Sequence, residues 1–194
     1  MEITPAEIES IIKSGNWMLR TDDDGVAYGN FKWNDIGEWT TPDTFSEQPT
    51  CDSGGLFGQT KSASGFNADR KRAVLCETSS VQIPIDGDKI KTDRARIVLV
   101  NDLTLARGMT FDGNLDLDGC TGLQNLPEGL TVGGGLSLDG CTGLQNLPEG
   151  LTVGGNLYLG GCTGLQNLPK GLTVGGYLDL DGCTGLQNLP EGLT

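Results

Sequence analysis

From residue 115 onward the apolar positions of the chain recur with a period of 21. Leu115, Leu117, Cys120, Leu123, Leu126, Leu130 and Val132 return as Leu136, Leu138, Cys141, Leu144, Leu147, Leu151 and Val153, and again from Leu157 and from Leu178. Four cysteines, Cys120, Cys141, Cys162 and Cys183, mark the register within the phrase L-x-L-x-G-C-T-G-L-Q-N-L-P-x-G-L-T-V-G-G, whose last copy stops at Thr194. One copy cannot bury such a face alone, whereas stacked copies bury it continuously. Leu-x-Leu, with its middle residue turned outward, predicts one short parallel strand per copy. The Gly-Gly pairs suit tight corners where side chains of adjacent coils would collide. A weaker copy precedes these, with Leu99 at the cysteine position, Leu105 at that of Leu126, Met109 at that of Leu130 and Phe111 at that of Val132. Arg94 and Arg96 fall where its strand leucines belong. The expected architecture is therefore a small α+β domain over 1–94 joined to a parallel β-solenoid with few helices over 95–194, with Arg94–Val100 as a degenerate first rung or cap.

The first 94 residues carry a different pattern. Thr4-Pro5-Ala6-Glu7 reads as a helix start, with Thr4 capping, Pro5 at the first helical position and Glu7 closing a capping box. Ile8, Ile11 and Ile12 form one apolar stripe and Gly15 is a stop, so a helix is expected over roughly 5–14. Strands are expected at Asn16–Arg20, Val26–Tyr28, Phe31–Trp33 and Ala73–Glu77. Val81, Ile83 and Ile85 alternate before an Asp-Gly-Asp turn and a return strand at Lys89–Lys91, and Arg96–Val100 is the last strand before the repeats. Asp22-Asp23-Asp24-Gly25 reads as a turn and Pro49–Gly58 as a loop.

Comparison of the copies with one another separates two kinds of position. The inward residues are nearly invariant, while variation gathers in the outward columns of the strand: Asp116, Ser137, Tyr158, Asp179; then Asp118, Asp139, Gly160, Asp181; and the flanking Asn114, Gly135, Asn156, Tyr177. A concave binding face has this signature, and tyrosine is a favoured interface anchor. Unconstrained drift of exposed residues is the plainer reading. The cysteines stack into a ladder at about the strand spacing of 4.8 Å. Buried free thiols bonded to loop backbone are favoured over a metal column, because stacked thiols lack a tetrahedral arrangement. They are favoured over disulfides too, because neighbouring side chains point the same way.

The Leu-x-Leu-x-x-Cys segment followed by Leu-x-x-Leu-Pro resembles a leucine-rich repeat, with cysteine where asparagine is more usual. The L-P-x-G-L phrase and short period are similar to the bacterial-effector subclass and to related repeats of phage and prophage proteins. The resemblance covers about 95–194 and implies a host-cell protein as partner, for example a bacterial defence protein inhibited by a phage product. It implies nothing about 1–94.

Composition narrows the chemistry. Net charge is -13, and residues 101–194 hold ten acids against two bases, Arg107 and Lys170. Nucleic acid and anionic membrane would be repelled and a basic protein surface attracted. There is no histidine, so a Ser-His or Cys-His dyad is impossible, and no P-loop, GxSxG, HExxH or CxxC occurs. No cofactor and no metal are expected; calcium on the acidic columns is the weaker alternative, since the nine-residue period of calcium-binding β-rolls is absent. The acidic N-terminus lacks the basic start and apolar run of a secretory signal, which makes a cytoplasmic location the expectation. An enzyme is not expected. A glutamate-dependent transfer such as ADP-ribosyl transfer needs no histidine, and Glu77 would be its first suspect.

The leading expectation is a protein-interaction module that binds through Asp116, Asp118, Ser137, Asp139, Asn156, Tyr158, Tyr177, Asp179 and Asp181. The alternative places an anionic, nucleotide-like ligand in the N-terminal domain, at Ser53, Gly54, Gly55, Arg70 and Arg72, whose backbone amides and guanidinium groups suit an anion. The copy that stops at Leu193-Thr194 further suggests a homodimer through an uncapped end.

Overall fold

The computed structural model describes residues 3–22, 32–42, 56–59, 71–85 and 89–189. Helix α1 spans Pro5–Ser14, as the capping residues predict. Thr4 accepts from the Glu7 amide, the Glu7 carboxylate accepts from the Thr4 amide at 2.8 Å, and Gly15 ends the helix at φ 73°. Seven strands follow: β1 (Trp17–Asp22), β2 (Trp39–Thr40), β3 (Leu56–Gln59), β4 (Arg72–Thr78), β5 (Ile83–Pro84), β6 (Lys89–Thr92) and β7 (Ala95–Val100). Among the described residues they form one antiparallel sheet in the order β2-β7-β4-β1-β3-β6-β5.

The predicted strands near 16–20, 73–77, 89–91 and 96–100 are present, and the alternating segment 81–85 is strand only at Ile83–Pro84; Val26–Tyr28 and Phe31 lie outside the described residues, while Lys32 and Trp33 belong to no strand of the sheet. Two differences stand out. Leu56–Gln59 is strand rather than the end of a loop, because β1 and β6 pair with its two edges. Asp22 ends a strand rather than opening a turn, with its carboxylate buried.

Alternation along the central strands divides the apolar residues between two faces. Trp17, Leu19, Ala73, Leu75 and Val98 face one way and pack with Ile8 and Ile11 of the helix. Met18, Val74, Cys76 and Ile97 face the other way, with Trp33 and Leu56. The first face belongs to the same continuous core as the repeats. Trp17 meets Phe111 edge-on at 5.8 Å, so the helix-bearing side of the sheet closes the first turn of the stack.

Backbone hydrogen bonds stitch the same junction. The Gly122 amide donates to the Lys71 carbonyl at 2.8 Å, and Asn101, at φ 62°, exchanges bonds with Ala73. Arg94 and Arg96 sit where the repeat wants leucines because this segment belongs to the antiparallel sheet. Their guanidinium groups stack on Trp39 at 4.8 and 5.5 Å, and Arg96 pairs with Glu77. The weak first copy also carries a register shift. Asp102 bridges Asn125, an offset of 23 where the later turns keep 21, so Leu103 (1% exposed) fills the place expected of Leu105 (38% exposed).

From residue 110 to 189 the chain is a parallel β-solenoid with a 21-residue turn. The Leu-x-Leu strands are β9 (Leu115–Asp116), β11 (Leu136–Ser137), β13 (Leu157–Tyr158) and β15 (Leu178–Asp179), stacked in register. A second ladder runs through the Thr-Val pairs, β8 (Thr110–Phe111), β10 (Thr131–Val132), β12 (Thr152–Val153) and β14 (Thr173–Val174). Asparagine bridges make a third column at Asn146, Asn167 and Asn188. Leu136, Leu138, Cys141, Leu144, Leu151 and Val153 are 0% exposed, each leucine worth about 1.5–3 kcal/mol of burial. Glycine is obligatory after the valine: a Cβ on Gly154 would lie 2.2 Å from the Gly133 carbonyl oxygen. The turn containing β14 and β15 has half-exposed apolar residues, because among the described residues no further turn stacks on it. Residues 190–194, on which the expected dimer contact rests, lie outside the described residues.

Candidate functional site

In-register stacking of the Leu-x-Leu strands aligns the outward residues as the repeat spacing requires. Asp116, Ser137, Tyr158 and Asp179 are mutual strand partners and form one straight column. A groove of about 450 Å³ opens on this face, lined by Asn114, Asp116, Gly135, Ser137, Asn156 and Tyr158 together with backbone of the glycine corner. Its size falls in the range of about 300–1,000 Å³ typical of ligand pockets. Tyr177, beside it in the last described turn, is 62% exposed.

Each column is also tied into the scaffold. The Asp118 carboxylate accepts from the Ser137 hydroxyl at 2.5 Å and from the Asp139 amide at 2.9 Å, and the Asp139 carboxylate accepts from the Gly160 amide at 2.6 Å. Asn114 accepts from the Gly135 amide and Asn156 from the Tyr177 amide, at 2.7 and 2.8 Å. Asp116 and Asp179 accept from the amides two residues on. The bonds from one turn's side chain to the next turn's backbone were not legible in the columns, because they join groups 21 residues apart. They make the acids part of the stack as well as candidates for recognition.

No lysine or arginine is paired with these acids among the described residues. Burial raises the Asp116 carboxyl above its ordinary value, and the neighbouring Asp118 and Asp139 charges add to the effect. Asp139 is raised for the same first reason, with Asp118 and Asp179 contributing. Among the described residues the face thus carries negative charge without a paired base, with two tyrosines in it.

The cysteine ladder has the hydrogen-bonded structural form. The Cys141, Cys162 and Cys183 thiols donate to the Leu117, Leu138 and Leu159 carbonyls at 3.1, 3.1 and 3.0 Å, tying each turn to the preceding one. All four thiols are free. Burial pushes Cys120 and Cys162 up to about 12, and Cys141 higher still. Such thiols are protonated at neutral pH and are poor nucleophiles. Among the described residues no group of three or more potential ligands is placed to hold a metal ion.

The N-terminal candidates fare differently. Ser53, Gly54, Gly55 and Arg70 lie outside the described residues. Arg72 is placed, and its guanidinium forms a two-pronged pair with the buried Asp22 carboxylate at 2.7 and 3.0 Å. Both of those donors are spent inside the sheet, where a bound anion would need them. Glu77 is likewise held by Arg96 at 2.5 Å.

A second groove, of about 690 Å³, runs past Asn125, the bridged Asn146 and Asn167, and the Leu-Pro ridge. Its residues are nearly the same in every turn, so it lacks the variation of the first. No described helix is long and apolar enough to cross a membrane. No family model, curated protein or solved structure matches this chain, and the family resemblance of the repeats rests on their own text.

Proposed function

We propose that the chain is a protein-interaction module and that the outer face of its Leu-x-Leu sheet is the binding surface. A parallel solenoid is typical of structural or binding repeat proteins. The observation that carries the reading is the confinement of variation: inside positions are fixed from turn to turn, while the columns that differ line one face and its groove. A negative, tyrosine-bearing face suits a partner with a basic surface. The likeness of the repeats to those of bacterial effector and phage proteins makes a host-cell protein the first partner to seek, a bacterial defence protein among them.

The test is capture from host lysate, read by mass spectrometry, with wild type beside a Tyr158→Ala/Tyr177→Ala variant. A stoichiometric protein lost from the variant, at an unchanged melting temperature, supports the face. Equal capture by both removes it.

A further inference from the structure

The groove on the Leu-x-Leu face exists because one side chain is missing. In the flanking column the first and third turns carry Asn114 and Asn156, whereas the second carries Gly135. The two asparagines are two rungs apart, about 9.6 Å at the usual strand spacing, and the gap between them opens over Asp116, Ser137 and Tyr158. We propose, resting on the binding face above, that this notch receives an arginine side chain of the partner protein.

The walls match a guanidinium group by charge and by shape. Asp116 supplies a carboxylate, one oxygen of which accepts from the Asp118 amide at 3.1 Å, leaving the other for the ligand. Among the described residues no lysine or arginine pairs with it, and Asp118 and Asp139 add their charge beside it. Tyr158 supplies an aromatic surface on the next rung but one. Its hydroxyl accepts from the Asn156 side-chain amide at 2.7 Å, which holds the ring in place before any ligand arrives. A planar cation stacks on such a ring while its N–H fork meets a carboxylate. Lysine, a compact charge, is drawn to both groups but has neither the plane to stack nor the fork.

The repeat also supplies the variant that fills the notch. Gly135→Asn installs the residue that the turns on either side already carry. A Cβ at Gly135 would meet Asn156 carbonyl oxygen at 3.3 Å and Asn114 Oδ1 at 3.6 Å, distances that a small adjustment relieves. The substitution leaves net charge, both tyrosines and the hydrophobic interior unchanged.

The experiment is a titration of the ¹⁵N-labelled full chain with Nα-acetyl-arginine methylamide, with the citrulline analogue, neutral and nearly isosteric, as control. The expected result is a saturable shift of the Gly135, Ser137, Asn156 and Tyr158 amides with the arginine compound alone. Gly135→Asn weakens that response at least about tenfold at an unchanged melting temperature. Asp116→Asn, which keeps an acceptor for the Asp118 amide, weakens it as well. Equal shifts with citrulline, no shift with arginine, or undiminished affinity in Gly135→Asn overturns the notch. Partner capture separates this from the broader reading. Capture that survives Gly135→Asn but fails without the two tyrosines overturns the notch and keeps the face; an arginine response without any captured protein keeps the notch and overturns the face.

Discussion

Leu144 and Leu186 occupy the same position of the repeat, two turns apart, with the same neighbours in sequence. Leu144 is 0% exposed between a turn above and a turn below, whereas Leu186 is only partly buried in the last described turn. Truncation to alanine removes the same atoms from both. At Leu144 the loss of transfer energy is joined by a cavity that two rigid neighbouring turns cannot close, so the cost should fall at about 3–5 kcal/mol. At Leu186 part of the side chain already meets water and the site can relax, so about 1–2 kcal/mol is expected. Urea unfolding followed by far-ultraviolet circular dichroism resolves the difference. With a slope of about 2 kcal/mol/M the midpoint should fall by roughly 1.5–2.5 M for Leu144→Ala and by under about 1 M for Leu186→Ala. Tryptophan fluorescence should follow the same transition, since Trp17 packs on Phe111 in the continuous core. Equal costs at the two sites would refute the reasoning, because they would mean that depth in the stack does not set stability.

Three further outcomes follow from the same geometry. The thiols of Cys76, Cys120 and Cys162 rise from 9.0 to about 12 on burial, so the native state holds protons that the unfolded chain releases. Stability is therefore complete below pH 9 and should fall above it, by about 1.4 kcal/mol per pH unit for each such thiol, in alkaline melts. A flat profile between pH 9 and the onset of general alkaline unfolding would contradict buried thiols. Asp116 and Asp139 are raised above 3.8 in the fold, so their contribution improves as pH falls through the folded value and is complete below 3.8. Asp116→Asn should accordingly raise the melting temperature at pH 7 and shrink the wild-type gain on mild acidification, measured by calorimetry. Gly154→Ala should cost at least about 2–3 kcal/mol, because its Cβ meets backbone that cannot swing aside; a neutral effect in thermal melts would show that the turns are further apart than described.

What the sequence disclosed follows from how local each signal is. Helix α1 was readable to its last residue because Thr4, Pro5, Glu7 and Gly15 each satisfy a backbone demand within a few residues. The stack was readable because seven apolar positions recur through three copies and six of them in a fourth, and the outward columns follow from the register alone. Strand β3 was missed because Leu56–Gln59 is extended only through pairing with β1 and β6, partners distant in sequence. Leu103 was missed in favour of Leu105 because the two-residue shift arises where the chain leaves the antiparallel sheet. In the candidate face, the composition of the columns was visible, but the bonds from Asp118 and Asp139 to the next turn were not. They depend on amides that become neighbours only when turns stack.

The central claim is that one face of the solenoid meets the partner, and the acids of the chain allow a direct test with an internal control. Carbodiimide labelling of surface carboxylates, read by mass spectrometry, should be compared with and without the captured partner. The account predicts protection of Asp116, Asp118, Asp139, Asp179 and Asp181, on the Leu-x-Leu face, with Glu128 and Glu149, which line the other groove, labelled as before. Protection of Glu128 and Glu149 while the aspartates stay reactive would contradict it.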